Sequence, residues 1–313
     1  MGEEAKMMAG REYVNLVKEI EKLKKDRRAV ILSHYYQRPE IQEIADFVGD
    51  SLELSQKAAR TDARVIVFCG VHFMAESAAI LSPDKIVLLP EENAGCPMAD
   101  MITAVDLERW KEKFPRATVV CYVNTSAEVK AQSDVACTSA NAVKVIGSLP
   151  AGEDILFIPD KNLGSYVARQ TGRKIHLWEG FCRTHDRLGA EDILAAKREH
   201  PDALVLVHPE CRPEVIELAD AVASTSGILR FARESGAKRF IIGTEVGILF
   251  QLARQCPGKE FFPASPKMVC PNMKATTLEK VHRALLTLEP RVTVPPDVRE
   301  RALRSLSRML AVV

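Results

Sequence analysis

The chain reads as an α/β protein of three pseudo-symmetric three-layer α/β/α domains, each built on a small parallel sheet, arranged around a central active site. Three observations predict this. Short apolar runs alternate with helix-like segments along the whole chain, the pattern of parallel sheets covered on both faces. One motif occurs three times: His208 precedes Asp220 by 12 residues and Thr225 follows Asp220 by 5, and the same spacings relate Tyr122, Asp134 and Ser139, and His34, Asp46 and Ser51. The copies start 88 and 86 residues apart, so a single αβ unit is used three times. Cys96, Cys182 and Cys270 follow the first residue of each copy by 62, 60 and 62 residues, one thiol per unit.

In the first unit, Tyr13 to Lys25 carries apolar residues among charges and predicts a surface helix. Ala29 to Leu32 fits a buried parallel strand that delivers His34, Tyr35 and Tyr36 at its C-terminal end. Ile41 to Phe47 reads as a short helix. Ser51, after the turn Gly49-Asp50, reads as the N-cap of a helix Leu52 to Ala59. Strands Val65 to Phe68 and Ile86 to Leu89 flank a helix Met74 to Leu81, and the turn-rich loop Pro90 to Met98 carries Cys96.

The second unit follows the same plan. A helix Val105 to Phe114 leads into a strand Thr118 to Cys121, from whose end Tyr122, Val123 and Asn124 emerge, and Ser139 opens a helix Ala140 to Ile146. The strand Ile155 to Ile158, the helix Leu163 to Gln170 closed by Gly172 and the strand Lys174 to Leu177 bring the chain to Cys182. In the third unit, a helix Ala190 to His200 and a strand Leu204 to Val207 present His208, Pro209 and Glu210, and Thr225 opens a helix Gly227 to Arg233. The strand Phe240 to Ile242, helix Gly247 to Gln255 and strand Glu260 to Phe262 lead to Cys270. Helices Thr277 to Thr287 and Val298 to Leu310 finish the chain. The expected domains are 11–100 (with residues 1–10 preceding), 101–187 and 188–287, with 288–313 a C-terminal helix packing on them.

Composition narrows the function. With 47% hydrophobic and only 6% aromatic residues the chain can bury an aliphatic core. A net charge of +1 argues for neither nucleic acid nor a membrane surface. No apolar run is long enough to span a bilayer, and the charged start MGEEAKMMAGREYV is unlike a secretory signal, so a cytoplasmic location is expected. Eight cysteines in such a chain read as thiols or metal ligands rather than a disulfide framework.

Ligands of parallel α/β sheets sit beyond the carboxyl ends of the strands, where the three polar motifs fall. Buried packing explains any lone cysteine, and it suffices for Cys69, Cys121, Cys137, Cys211 and Cys256. Cys96, Cys182 and Cys270 differ in being equivalent and in lying in loops. Packed about a pseudo-threefold axis, they converge on one metal. Zinc wants a fourth protein ligand, and none lies in register; an iron–sulfur cluster on three thiolates leaves one iron open, suited to Lewis-acid work. Ser51, Ser139 and Thr225 are helix caps first, but a hydroxyl-capped helix N-terminus also receives anions. Glu210 and Tyr36 are the expected proton carriers, Asn124 an orienting group, and His34 and His208 ligands for carboxylate or phosphate. Asp46, Asp134 and Asp220, each before a short apolar strand, are expected to fix loops by bonds to backbone.

Several stretches carry a resemblance that covers essentially the whole chain: SHYYQ with IADFVGDSLELS, GCPMADM, YVNTSAEVKAQSD with TSANAV, PDKNL, HPEC with STSG, and VCPNMK. Together they resemble the quinolinate synthase family. The resemblance implies a [4Fe–4S] cluster on Cys96, Cys182 and Cys270. It also implies condensation of iminoaspartate with dihydroxyacetone phosphate to quinolinate, losing phosphate and water, for NAD synthesis. By motif, His34, Ser51, Tyr122, Val123, Asn124, Ser139, His208, Pro209, Glu210 and Thr225 match substrate-binding positions, with Tyr36, Tyr122 and Glu210 catalytic. A functional link to the enzyme supplying iminoaspartate follows from the same likeness. Position 35 is Tyr where the family often has Asn, and the chain lacks the CxxC of some longer members. Two rival readings are another iron–sulfur hydro-lyase acting on a hydroxy acid and a non-enzymatic anion-binding or iron-sensing protein.

Overall fold

The structure, a computed structural model, describes residues 3–312. Its frame is three four-stranded sheets, all parallel, with the same strand order. The first holds β1 (Ala29–His34), β2 (Phe47–Gly49), β3 (Val65–Cys69) and β4 (Ile86–Leu88) in the order β2-β1-β3-β4. The second holds β5 (Thr118–Tyr122), β6 (Val135–Cys137), β7 (Ile155–Ile158) and β8 (Ile175–Leu177) as β6-β5-β7-β8. The third holds β9 (Leu204–Val207), β10 (Ala221–Val222), β11 (Arg239–Gly243) and β12 (Glu260–Pro263) as β10-β9-β11-β12. Helices cover both faces, which is why the central runs VIL of β1 and VIVFC of β3 are apolar throughout instead of alternating.

The expected helix Ile41 to Phe47 is shorter than its apolar pattern suggests: it spans Pro39–Ile44, and Phe47 starts β2. The cause is Asp46, whose Oδ2 accepts the N–H of Ile31 at 2.8 Å and draws the chain alongside β1. Asp134 does the same for Val119 (2.8 Å) and Asp220 for Val205 (2.7 Å), so the aspartate of each copy pins the second strand to the first. These are the side chain to backbone bonds expected of the three residues.

Two helices cover units other than the one they follow. Leu278–Thr287 lies after the third sheet, yet Leu278, Val281 and Leu285 pack with Ile20 of the N-terminal helix Glu3–Asp26 against Ile31, Val65 and Val67 of the first sheet. Burying one such side chain stabilises by roughly 1.5–3 kcal/mol, so this clasp is a substantial part of the first unit's core. The C-terminal helix Pro296–Ala311 starts on a proline at its first turn and buries Ala302, Leu306 and Met309. It docks on the second unit: Ser305 Oγ donates to the Lys130 carbonyl at 3.0 Å, and Asn141 Nδ2 donates to the carbonyls of Met309 (3.2 Å) and Val312 (3.0 Å).

Gly247 marks a close approach between the first and third units. A Cβ there would lie 2.7 Å from the Tyr36 carbonyl carbon and 2.8 Å from its Cα, so a larger residue would push Tyr36 off its position.

Candidate functional site

In each sheet the chain leaves the first and third strands towards opposite sides, opening a crevice between their carboxyl ends. Those ends carry His34 to Tyr36, Tyr122 to Asn124 and His208 to Glu210. The three crevices share one cavity of about 230 Å³. His34, Tyr36, Ser51, Cys96, Tyr122, Asn124, Ser139, Cys182, His208, Glu210, Thr225 and Cys270 all line it. Val123 and Pro209 do not: Val123 is buried and its N–H is spent on the Cys137 carbonyl (2.9 Å), while Pro209 sits in the turn closed by Cys211 N–H on the His208 carbonyl (3.0 Å).

All eight cysteines are free thiols; Cys96, Cys182 and Cys270 are half-buried and face the cavity, whereas the other five are buried. Burial raises all three thiols, Cys96 to about 12, against the pull of backbone N–H groups turned onto the sulfurs. Those donors are Ala99 and Met98 for Cys96, His185 for Cys182, and Met273 and Asn272 for Cys270. Three sulfurs on one cavity, each met by N–H donors and each needing a cation to become a thiolate, fit a metal centre. Cys182, His185 and Glu210 also place ligand atoms within 4.8 Å of one another, a further group able to hold a metal. Their proximity has a simpler origin, since His185 and Glu210 already bond each other.

The buried polar network is centred on Glu210. His185 Nδ1 lies 2.6 Å from Glu210 Oε2 and 3.2 Å from Cys182 Sγ, and His185 Nε2 lies 2.8 Å from Thr244 Oγ1. Thr244 Oγ1 is 2.6 Å from the Tyr36 hydroxyl, which is 2.9 Å from Thr225 Oγ1. Burial works to raise the Glu210 carboxyl, but His185, His208 and Tyr122 outweigh it and hold it well below the usual carboxylate range. Burial, then the Glu210 charge, pushes the Tyr36 and Tyr122 phenols up, so both stay protonated.

The repeat shows again in the imidazoles. His34 Nδ1 accepts the Tyr36 N–H at 3.1 Å and His208 Nδ1 accepts the Glu210 N–H at 3.3 Å, which leaves the ring proton of each on Nε2. His208 Nε2 lies 3.1 Å from Ser139 Oγ. Burial lowers both rings to about 3; His34 is lowered further by His208 and Lys274, and His208 by His185. Neutral at physiological pH, each ring offers the cavity an Nε2–H donor and no positive charge.

The capping assignment needs correction. The caps of the Ser51–Arg60 and Thr225–Glu234 helices lie one residue earlier, at Asp50 and Ser224; Asp50 accepts from Leu52 and Glu53, and Ser224 from Gly227. Helix Ala142–Ser148 starts at Asn141, and Thr138 Oγ1 accepts the Ala140 N–H at 3.2 Å. A capping side chain reaches forward over the first turn; Ser51, Ser139 and Thr225 are free of that role and line the cavity, with Asp50 and Thr138 beside them. Asn124 Oδ1 is buried there without a hydrogen-bond partner.

Residues that the sequence reading did not single out complete the site. His185 stands three after Cys182, a local spacing that the long repeat hid. Thr244 and Glu245 follow β11, and Asn162 of PDKNL donates to the Glu210 carbonyl at 3.2 Å, tying the second unit to the third. Tyr35 faces away, buried in the core, its phenol raised by burial and then by Glu53 and Asp50.

The fold and this site define a triplicated α/β enzyme with a carboxylate, imidazole and phenol network beside three converging thiols. Residues 18–311 match the family model described as quinolinate synthetase A protein. The chain is 62% identical over 296 residues to the quinolinate synthase of Desulforudis audaxviator strain MP104C, covering 95% of this chain and 98% of that one. Those of Methanoregula boonei and Thermodesulfovibrio yellowstonii are each 57% identical, with the same 95% and 98% coverage. The chain belongs to the quinolinate synthetase A family, an enzyme family of NAD biosynthesis. Among the described residues, no helix is long and apolar enough to cross a membrane.

Proposed function

We propose that the chain is a transferase that condenses iminoaspartate with dihydroxyacetone phosphate, releasing phosphate and water to form quinolinate. The observation carrying this reading is that three half-buried thiols and the Glu210 network meet on one cavity. Cys96, Cys182 and Cys270 would hold a [4Fe–4S] cluster. When bound, that cluster supplies Lewis-acid polarisation without a change of oxidation state.

The remaining chemistry belongs to the chain. Glu210, ionised and oriented by His185, takes a proton from the bound reactants, and Tyr36, kept neutral by burial, gives one to a departing oxygen. Tyr122 holds Glu210 in place and faces the reacting atoms. His34 and His208 offer Nε2–H groups, and Ser51, Ser139 and Thr225 offer hydroxyls beside helix N-termini, for the carboxylates and the phosphate. The unpaired Asn124 Oδ1 takes a donor from the substrate. Val123 and Pro209 serve through the backbone that presents Asn124 and Glu210.

The test is an assay of anaerobically reconstituted protein for quinolinate from the two substrates, alongside iron and sulfide content. Turnover by iron-free protein would end the Lewis-acid role, and a cluster without quinolinate formation would favour a different hydro-lyase or an iron sensor.

A further inference from the structure

The three cysteines sit on loops, and a thiol on an unanchored loop has no fixed direction. Asp160 and Glu245 occupy equivalent places, two residues beyond the ends of β7 and β11, and both are fully buried. Each divides its oxygens alike. Asp160 Oδ2 accepts the Cys182 N–H at 3.2 Å while Oδ1 accepts that of Leu163 at 2.8 Å. Glu245 Oε1 accepts the Cys270 N–H at 3.1 Å while Oε2 accepts that of Gly247 at 2.7 Å, with Lys274 Nζ 2.9 Å away to balance the charge. The corresponding residue of the first unit is the buried, apolar Val71, which can do nothing of the kind. The Cys96 loop is held from another unit instead: Asn272, two residues after Cys270, donates from Nδ2 to the Gly95 carbonyl at 2.7 Å.

We propose that Asp160, Glu245 and Asn272 form a collar that fixes the three cysteine loops before metal arrives. Glu245 sets the Cys270 backbone, Asn272 carries that position across to Gly95 and so to Cys96, and Asp160 sets Cys182. All three are positioning residues, acting through the cysteines. The proposal rests on the reading of Cys96, Cys182 and Cys270 as iron–sulfur ligands. It explains why buried carboxylates stand where a hydrophobic residue would pack as well: each bridges two N–H groups that a neutral amide cannot both serve. In Asp160→Asn or Glu245→Gln the size is kept, but one oxygen becomes an NH2 facing an N–H donor.

The experiment is anaerobic reconstitution of wild type, D160N, E245Q and N272A with ferrous iron and sulfide, then the rate of iron release to a chelator. E260Q, which alters an exposed carboxylate paired with Arg239, is the control. The collar predicts that iron leaves each variant roughly 10–100-fold faster, the usual cost of removing an outer hydrogen bond from a metal ligand, with E260Q matching wild type. Folded variants releasing iron at the wild-type rate overturn the collar while leaving the cluster reading intact. A wild type that binds no iron overturns both. If a variant fails to fold, amide exchange of the iron-free wild type decides: protection of Cys182 and Cys270 N–H at the level of the strands supports the collar, and exchange at unfolded-chain rates refutes it.

Discussion

His185 Nδ1 lies 2.6 Å from Glu210 Oε2, both side chains buried, and a line of hydrogen-bonding groups runs from that pair to the first unit. To reach a carboxylate, Nδ1 must carry a proton, and on the far side of the ring Nε2 lies 2.8 Å from Thr244 Oγ1. Thr244 Oγ1 is in turn 2.6 Å from the Tyr36 hydroxyl, which is 2.9 Å from Thr225 Oγ1. The two proposed proton carriers, Tyr36 in the first unit and Glu210 in the third, are thereby joined in one hydrogen-bonded chain.

Replacing His185 by Phe keeps a flat ring and strips Glu210 of its partner. The carboxyl then rises, because the group that most strongly opposes the effect of burial is gone. The expected outcome is a fall in kcat and an acid limb of the kcat/KM profile displaced to higher pH. A profile unchanged from wild type would show that His185 does not tune Glu210.

Thr244→Val removes the link between Tyr36 and His185 without changing shape. Loss of a buried hydrogen bond of this kind costs about 1–3 kcal/mol, so kcat should fall about 5- to 150-fold with KM little altered. Thr244→Ser restores the hydroxyl and should restore most of the rate; failure of that rescue would point to packing by the methyl group as the residue's contribution.

Cys182→Ala should abolish both the brown chromophore and turnover after anaerobic reconstitution, measured by visible absorption and iron content. Cys137→Ala is the contrast: its thiol is buried in the core, and burial raises it far above its ordinary range. That variant should hold iron as wild type does and lose stability only.

The long repeat made much of this legible in the chain itself. Its equivalent positions brought twelve of the expected residues to one cavity, since symmetry converts equal spacing into convergence. It said nothing of residues that break the symmetry. His185 and Asn272 have no counterparts in register, and Asp160 and Glu245 are answered by Val71 in the first unit. The strand after Asp46 was hidden because three residues are too few to show a period, and its place is set by one carboxylate on the Ile31 N–H. The caps were misassigned by one residue because Asp50-Ser51 and Ser224-Thr225 each offer two capping side chains in succession, and only geometry separates them.

That distinction separates stability from binding in adjacent residues. Asp50→Ala removes a cap that accepts from Leu52 and Glu53, along with the Ser226 Oγ bond at 2.5 Å, and should cost about 1–2 kcal/mol in urea unfolding. Ser51→Ala should leave stability unchanged and raise KM for one anionic substrate. The reverse pattern would return the capping role to Ser51.

The two buried imidazoles should each cost the iron-free chain stability in mild acid. His34 and His208 are held neutral, each lowered to about 3 mainly by burial, whereas in the unfolded chain they protonate near 6.5. Between those limits the unfolded state binds more protons, so stability falls as pH falls, by about 1.4 kcal/mol per pH unit for each imidazole. Glu210 acts in the same direction only lower, because a depressed carboxyl loses its contribution as pH drops below the unfolded carboxylate range. Urea midpoints measured from pH 7 to 5 should therefore fall further in the wild type than in His208→Gln, which is neutral at every pH. Parallel profiles for the two proteins across that interval would mean that the His208 ring is already solvated in the native protein.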